Sequence, residues 1–265
     1  MISSQLEDIL FRKNIVFGTA PIGYSRDISL NLIRHINEAD IILAETLVSF
    51  YQLVLNVNKF LSQYGFSEIQ LTPKAKIYTY VPDDKLENKI IINEKIIKEF
   101  NDRKKILVIS EEGYSNYMDP AELLKIALIE RKIEFDTLHG PCMVIATLAT
   151  SHFAVNDFIF AGNVEWWGDD KIFDRLQAFK NTNMPIIFSF DCNNLKKSLK
   201  TINKIFPDYM ADFCANLSKP NEAHIRGLLE EIIQSHESIL KDKQTDRYTL
   251  IIKPGGFAVE EKLLI

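Results

Sequence analysis

The sequence predicts a two-domain α/β protein, with a parallel-sheet domain over residues 1–138 and a mixed-sheet α/β domain over 139–265. Three observations carry that prediction. Short apolar runs alternate with stretches of helical length through the first half, Gly and Pro punctuate the ends of the runs, and the rhythm changes beyond about residue 157. Five strands separated by helices imply a parallel sheet covered on both faces, because a parallel connection needs a crossover long enough to hold a helix.

In chain order, residues 14–17 form a strand that leads into Gly18-Thr19-Ala20-Pro21-Ile22-Gly23. Ser25 or Asp27 caps a helix running to about residue 37. Residues 41–44 form a buried strand, followed by a helix over 48–64. Residues 76–81 alternate as a strand, and Asp83 or Asp84 caps a helix through residue 100. Residues 105–110 are a mostly apolar strand. Pro120 then opens a helix to residue 131, its fixed φ suiting the first turn. Residues 133–138 form the fifth strand, and a helix follows His139-Gly140-Pro141. In the second half, strands at 158–161, 185–190, 209–215 and 248–253 are separated by helices at 171–181, 195–205 and 222–238. Right-handed crossovers place the loops 18–24, 45–47, 111–119 and 139–142 on one edge of the first sheet. Ligands of open α/β sheets bind outside the carboxyl ends of the strands, so these loops form the expected site.

Composition narrows the function classes. Hydrophobic residues make up 46% of the chain and charged residues 25%, enough for an ordinary core. Cys142, Cys192 and Cys214 are widely spaced and form no CxxC pair. They read as small, buried or half-buried side chains rather than a zinc set. His35, His152, His224 and His236 show no ligand spacing, so no metal is expected. The net charge of −5 offers no electrostatic footprint for nucleic acid. Lys196, Lys197, Lys200 and Lys204 read as a solvated helix face, and Trp166-Trp167 as packing residues. No segment approaches the roughly 20 apolar residues of a membrane span. Residues 1–13 lack the pattern of a secretory signal, so a cytoplasmic location is expected. GxGxxG, GxxxxGK[ST], HExxH and GxSxG are all missing, which turns the reading away from dehydrogenases, NTPases, metalloproteases and hydrolases.

The motifs that are present carry a resemblance. Gly18-Thr19-Ala20-Pro21-Ile22-Gly23, Asp27-Ile28-Ser29 and Glu38-Ala39-Asp40-Ile41-Ile42-Leu43-Ala44-Glu45 resemble the opening of the small-subunit ribosomal RNA 2′-O-methyltransferases, a branch of the tetrapyrrole methylases. Ser110-Glu111-Glu112-Gly113-Tyr114-Ser115 stands where that family has Ser-Asp-Ala-Gly-Thr-Pro. Asp119-Pro120 falls at its Asn-Asp-Pro-Gly, and His139-Gly140-Pro141-Cys142 at its Pro-Gly-Pro-Ser/Cys. Leu217-Ser218-Lys219, Glu222 and Arg226-Gly227 match a Leu-Thr-Lys…Glu…Arg-Gly pattern at the same spacing.

The resemblance implies the two-domain tetrapyrrole-methylase fold, with S-adenosylmethionine in the cleft between the domains, and a homodimer. It assigns cofactor contacts to Pro21, Gly23, Ser110, Glu111, Glu112, Gly113, Tyr114, Met118, Gly140, Pro141 and Cys142. Among the matched residues, Glu45, Lys219, Glu222 and Arg226 have the chemistry to accept a hydroxyl proton or stabilise an alkoxide. Several charged positions of the family are changed. Thr46-Leu47 replaces the Asp-Thr-Arg that follows the family's acid, and Glu112 replaces a small residue. His139 replaces a proline, Ala215-Asn216 an Arg-Glu, and Asp246-Arg247 a Gly-Glu. These changes leave three readings open: methylation of ribosomal RNA, methylation of a small molecule, tetrapyrrole or peptide, and a non-catalytic cofactor-binding scaffold.

Overall fold

Strands β1 (Ile15–Phe17), β3 (Ile41–Ala44) and β5 (Ile106–Ile109) are buried along their whole length, as expected where helices cover both faces of a parallel sheet. Between them in the chain lie β2 (Thr19–Ala20), α1 (Leu30–Glu38), α2 (Leu47–Gln63), β4 (Lys76–Thr79) and α3 (Leu86–Asn101). Beyond β5 come β6 (Gly113–Tyr114), α4 (Glu122–Glu130) and β7 (Asp136–Thr137). The computed structural model describes residues 11–80, 86–191, 194–240 and 247–255. The chain divides into two compact units, 1–142 and 143–265.

The first unit holds a five-stranded sheet in the order β4-β3-β5-β1-β7, with every pairing parallel. The period-two alternation of its strands supplies two cores. Val16, Ile42, Leu107 and Ile109 pack with Leu32, Ile33 and Ile36 of α1 and with Phe50 and Val57 of α2. Ile15, Phe17, Leu43, Ile106 and Val108 pack on the opposite face with Ile92 and Ile96 of α3 and with Leu124 and Leu128 of α4.

Three local expectations are corrected. The cap of α1 is Ser29, whose Oγ accepts from the Leu32 amide at 3.0 Å, rather than Ser25 or Asp27. Residues 25–27 form a separate 3₁₀ turn, and the extended backbone of Ile28 (φ −68°, ψ 134°) parts the two. Helix α4 starts at Glu122 instead of Pro120, after Asp119 Oδ1 has accepted from the Ala121 amide at 2.9 Å. The fifth strand shrinks from 133–138 to two residues, because the sheet edge offers it only Val16 and Phe17 as partners. The caps proposed at Asp83 and Asp84 lie outside the described residues, as do Cys192 and Asp246.

The second unit comprises α5 (Met143–Thr150), β8 (Ile159–Asn163), α6 (Asp169–Lys180), β9 (Ile186–Asp191), α7 (Leu195–Ile205), β10 (Met210–Ala215), β11 (Ala223–Leu228), α8 (Leu229–Leu240) and β12 (Arg247–Lys253). Its mixed sheet runs β11-β10-β12-β9-β8, parallel only between β8 and β9. One face carries the larger core, built on Phe188, Phe190, Phe213, Leu199 and Ile232. On the other, Ile187 and Ile251 pack with Val144 and Leu148 of α5. Trp167 packs on the larger core, stacks edge-on to Phe179 at 5.9 Å and lies under Arg175, whereas Trp166 is 62% exposed.

The largest correction falls here. Residues 222–238, expected as one helix, are strand β11 followed by α8. Glu222, Leu228, Leu229 and Glu230 are good helix formers, but 223–228 gains a full ladder of six pairs with β10. Among the described residues no helix is long and apolar enough to cross a membrane. Leu107 sits fully buried in the central strand of the first sheet. Leu107→Ala should lower the unfolding free energy by about 2–5 kcal/mol. Urea titration followed by far-UV circular dichroism measures that loss, and an unchanged midpoint would refute this account of the core.

Candidate functional site

In the first unit the strand exits are stitched together. Thr19 and Ala20 of β2 pair antiparallel with Tyr114 and Gly113 of β6, which joins loop 18–24 to loop 110–115. Ser115 reinforces the seam, its hydroxyl donating to the carbonyls of Gly18 and Val108, each at 3.0 Å. Gly113 adopts φ +70°, a left-handed conformation open to glycine at little cost. The third loop closes against the first. Thr19 Oγ1 donates to the Leu138 carbonyl, and the Gly140 amide points at the Tyr114 hydroxyl at 3.5 Å. A Cβ on Gly140 would lie 2.9 Å from Thr19 Cγ2, so only glycine allows this approach.

The fourth loop joins through polar contacts. Glu45 Oε2 accepts from the Glu111 amide at 3.3 Å, and Thr46 Oγ1 donates to Glu111 Oε1 at 3.4 Å. Thr46 also caps α2, accepting from the Ser49 amide at 3.1 Å. The four loops predicted to share an edge therefore do so in this unit.

The assigned cofactor residues differ in what their side chains do. Pro21 and Ser110 are buried, and the Ser110 hydroxyl turns into its own loop to donate to the carbonyls of Gly113 (3.0 Å) and Glu112 (3.2 Å). Gly23, Glu112, Tyr114, Gly140, Pro141 and Cys142 are half-buried, and Glu111 and Met118 are exposed. Met118 has φ +52°, an uncommon conformation for a non-glycine residue. Asp119, beside Glu45 and Glu111, is held protonated to unusually high pH. Burial pushes its carboxyl up to about 7, the charges of Glu45 and Glu111 add to the rise, and the Ala121 amide opposes it.

The second unit carries a separate polar cluster. The turn joining β10 to β11 is tight, with the Lys219 amide on the Asn216 carbonyl (2.9 Å) and the Glu222 amide on the Lys219 carbonyl (3.0 Å). Asn216 (φ +56°) and Ser218 (φ +60°) are both left-handed, so this turn holds Lys219 at the expense of backbone strain. Glu222 Oε2 accepts from the Ser218 amide at 2.6 Å. On the strands behind the turn, Asp212 stands opposite Arg226 and Cys214 opposite His224. Arg226 Nε donates to Asp212 Oδ2 at 2.8 Å, and its Nη2 reaches the Thr150 carbonyl at 3.5 Å. His224 lies between two carboxylates, with Nδ1 2.8 Å from Asp212 Oδ1 and Nε2 3.1 Å from Glu222 Oε1. The Asp212 hydrogen bond raises the imidazole to about 10, aided by Cys214 and Glu222 and opposed by burial. Burial raises the Asp212 carboxyl, yet hydrogen bonds from His224 and Arg226 outweigh it, and the net shift is downward.

Sequence reasoning thus picked out Lys219, Glu222 and Arg226 but missed Asp212, Cys214 and His224. Residues 212 and 214 alternate onto one face, as do 224 and 226. Reading 223–228 as a strand would have paired them.

The profile of the Tetrapyrrole (Corrin/Porphyrin) Methylases matches residues 15–233. The chain is 25% identical over 241 residues to a ribosomal RNA small subunit methyltransferase I of Thermotoga maritima, covering 91% of this chain and 97% of that protein. A protein of the same name from Halalkalibacterium halodurans is 24% identical over 241 residues, covering 91% and 75%. Among solved structures, a cobalt precorrin-4 methyltransferase superposes with a TM-score of 0.60 at 12% identity, over 90% of this chain and 93% of that one. A diphthine synthase gives 0.61 at 12% identity, over 90% and 89%. The structural likenesses establish the fold.

The Asp119 environment predicts a pH dependence. Its ordinary value is 3.8 and its folded value about 7, so between the two the native state holds a proton that the unfolded state has released. Stability from this group is complete below about 4 and is lost as pH rises through 7. Asp119→Asn keeps the acceptor for the Ala121 amide and should flatten the profile between pH 4 and 7, leaving the variant more stable than wild type at pH 8. Urea midpoints across that range test this. Parallel profiles for the two proteins would show that Asp119 is not so perturbed.

Proposed function

Since the chain belongs to the tetrapyrrole methylase family, we propose that it transfers the methyl group of S-adenosylmethionine to a ribose 2′-hydroxyl of small-subunit ribosomal RNA. Small-subunit ribosomal RNA as acceptor rests on the curated relatives, which are similar over 91% of the chain and are named for methylating it, while the ribose 2′-hydroxyl rests on the motif resemblance. The observation that carries cofactor binding is the convergence of loops 18–24, 110–115 and 138–142, sewn by the β2–β6 pair and the Gly140–Thr19 approach.

S-adenosylmethionine supplies an electrophilic methyl on a cationic sulfonium. On this reading the backbone of Gly23, Gly113 and Gly140, with Pro21, Tyr114, Met118, Pro141 and Cys142, shapes its site. Glu45, Glu111, Glu112 and Asp119 offset the positive charge of sulfonium and ammonium. In the second unit, Lys219 on its strained turn is the group we assign to stabilise the developing alkoxide. Glu222 holds that turn through the Ser218 amide. Arg226, 32% exposed at its side chain, presents a guanidinium for phosphate while Asp212 fixes its Nε.

A second reading keeps the cofactor and exchanges the acceptor for a small molecule or peptide. The net charge of −5 favours it, as does Thr46, which serves as a helix cap where the family has charged residues.

Calorimetric titration with S-adenosylmethionine and S-adenosylhomocysteine comes first, and micromolar binding is expected. Affinity for the sulfonium ligand should rise from pH 6 to 8 as Asp119 gives up its proton, because a cation favours the ionised carboxylate. Gly140→Ala, which forces Thr19 aside, should weaken binding about tenfold or more. Transfer of labelled methyl to small-subunit ribosomal RNA, mapped to a ribose, then tests the acceptor. Lys219→Ala should slow that transfer about 100-fold while leaving cofactor affinity intact. Cofactor binding with methylation of a small molecule or peptide alone would select the second reading. No binding of either cofactor form would end the methyltransferase proposal.

A further inference from the structure

Two side chains of the second unit, Cys214 and His224, are left unused by methyl transfer, and they stand beside Glu222, which holds the turn that carries Lys219. Cys214, His224 and Glu222 bring one thiol sulfur, one imidazole nitrogen and one carboxylate oxygen within 4.8 Å of one another, the grouping of this kind found among the described residues. We propose that these three side chains bind a divalent transition-metal ion of borderline softness, with Zn²⁺ the best match to the donor set.

The backbone explains why the three meet. Cys214 and His224 are directly opposed on antiparallel strands β10 and β11, so their side chains rise from the same face of the sheet. Glu222 stands immediately before β11, its carboxylate drawn back over the strand end by the Ser218 amide. The sulfur is 2% exposed with its residue, while the Glu222 side chain is 30% exposed, so the ion enters from the Glu222 side. A mixed sulfur, nitrogen and oxygen set of three protein ligands leaves a fourth tetrahedral position on that side for water.

Distances fit with little adjustment. Zn–N and Zn–O bonds of about 2.1 Å and a Zn–S bond of about 2.3 Å set tetrahedral donors roughly 3.4–3.7 Å apart. Nε2 of His224 and Oε1 of Glu222 are already 3.1 Å apart, and the sulfur lies within 4.8 Å of a ring nitrogen of His224 and a carboxylate oxygen of Glu222. Side-chain rotations suffice.

Two further features point to a ligand here. Asp212 Oδ1 lies 2.8 Å from His224 Nδ1 and is 2% exposed. It therefore fixes the tautomer that turns Nε2 toward the ion, the carboxylate–histidine arrangement that supports metal-bound imidazoles. Thr249, directly opposite Cys214 on β12, is 2% exposed, and its hydroxyl is buried with no hydrogen-bond partner. That unpaired donor belongs to the residue paired with Cys214, and a thiolate would accept from it far better than a thiol. The thiol donates toward the Ala215 carbonyl, 3.7 Å away. Binding releases the Cys214 thiol proton and the His224 Nε2 proton to solvent, and forms one bond to each of S, N and O. The ion then pins the β10–β11 turn that carries Lys219.

The test uses the full chain, stripped with a chelator and dialysed, titrated with Co²⁺ and with Zn²⁺. Wild type should take up one equivalent, with thiolate-to-cobalt charge-transfer absorption that Zn²⁺ abolishes by displacement. Cys214→Ser should lose that absorption. Glu222→Gln, a substitution at the exposed rim that should leave folding intact, should weaken binding at least tenfold. Asp212→Asn should weaken it about 10- to 100-fold, as expected for a supporting carboxylate. Substoichiometric uptake by wild type overturns the site, as does cobalt binding that Glu222→Gln and Cys214→Ser leave unchanged.

Discussion

A parallel sheet buried on both faces has one place where its backbone meets a ligand, the edge at which the strands end, and the first unit is organised around that constraint. Because β1, β3 and β5 are apolar on both sides, every connection must cross over through a helix. The exits after β1, β3, β5 and β7 consequently fall side by side. The packing core and the candidate site are two consequences of the same register. Val16 and Phe17 point to opposite cores, and one residue later Gly18 takes the Val108 carbonyl at 2.7 Å and turns the chain toward β6. Ser115 then ties Gly18 and Val108 together from the other side. A loop so anchored is rigid where it leaves the sheet, which is where preorganised backbone is of most use in recognition.

The second unit solves a different problem. Its sheet is mostly antiparallel, and one face is split between an apolar patch and a row of polar residues. Ile187 and Ile251 lie under α5, whereas Asp212, Cys214, His224 and Arg226 stand on the neighbouring strands. A buried carboxylate such as Asp212 is costly unless paired, and here it is paired twice, with His224 and with Arg226. Those bonds fix the directions of the imidazole and the guanidinium, so Asp212 acts through its partners.

Much of this was legible in the sequence, and the remainder fails for identifiable reasons. The first unit's strands are short apolar runs bounded by Gly, Pro and capping residues, so period and punctuation agree, and the loops were placed on the correct edge. The motif pieces Gly18–Gly23, Ser110–Ser115 and His139–Cys142, which carried the family resemblance, gain a physical rationale in the structure. Gly113 needs its positive φ, and Gly140 has no room for a Cβ. Strand β11 was not legible because its helix-forming residues conflict with a nonlocal demand, the open edge of β10. That single error hid the Asp212–Arg226 and Cys214–His224 pairs, since on a helix those side chains would never face β10. Asp119 was legible only as the residue before Pro120, and its acidic surroundings arise from two loops, 45–47 and 111–119, meeting.

The contrast between Asp119 and Asp212 shows how the two clusters differ in what they can accept. Both carboxylates sit away from solvent, yet burial wins at Asp119 and hydrogen bonding wins at Asp212. Asp212 is already satisfied by two nitrogen donors, so an added cation gains little from it directly and more from the groups it orients. Asp119 has one amide donor and two acidic neighbours, Glu45 and Glu111, with Lys89 a smaller opposing charge. A cationic ligand at that edge would relieve the repulsion and draw the proton off Asp119, so binding and ionisation favour one another. An uncharged ligand of the same shape gains nothing from this coupling. On the proposed function, the electrostatics of the first unit would favour a sulfonium over its neutral thioether product, which is the discrimination a methyl-transferring protein needs if it is to release what it has used.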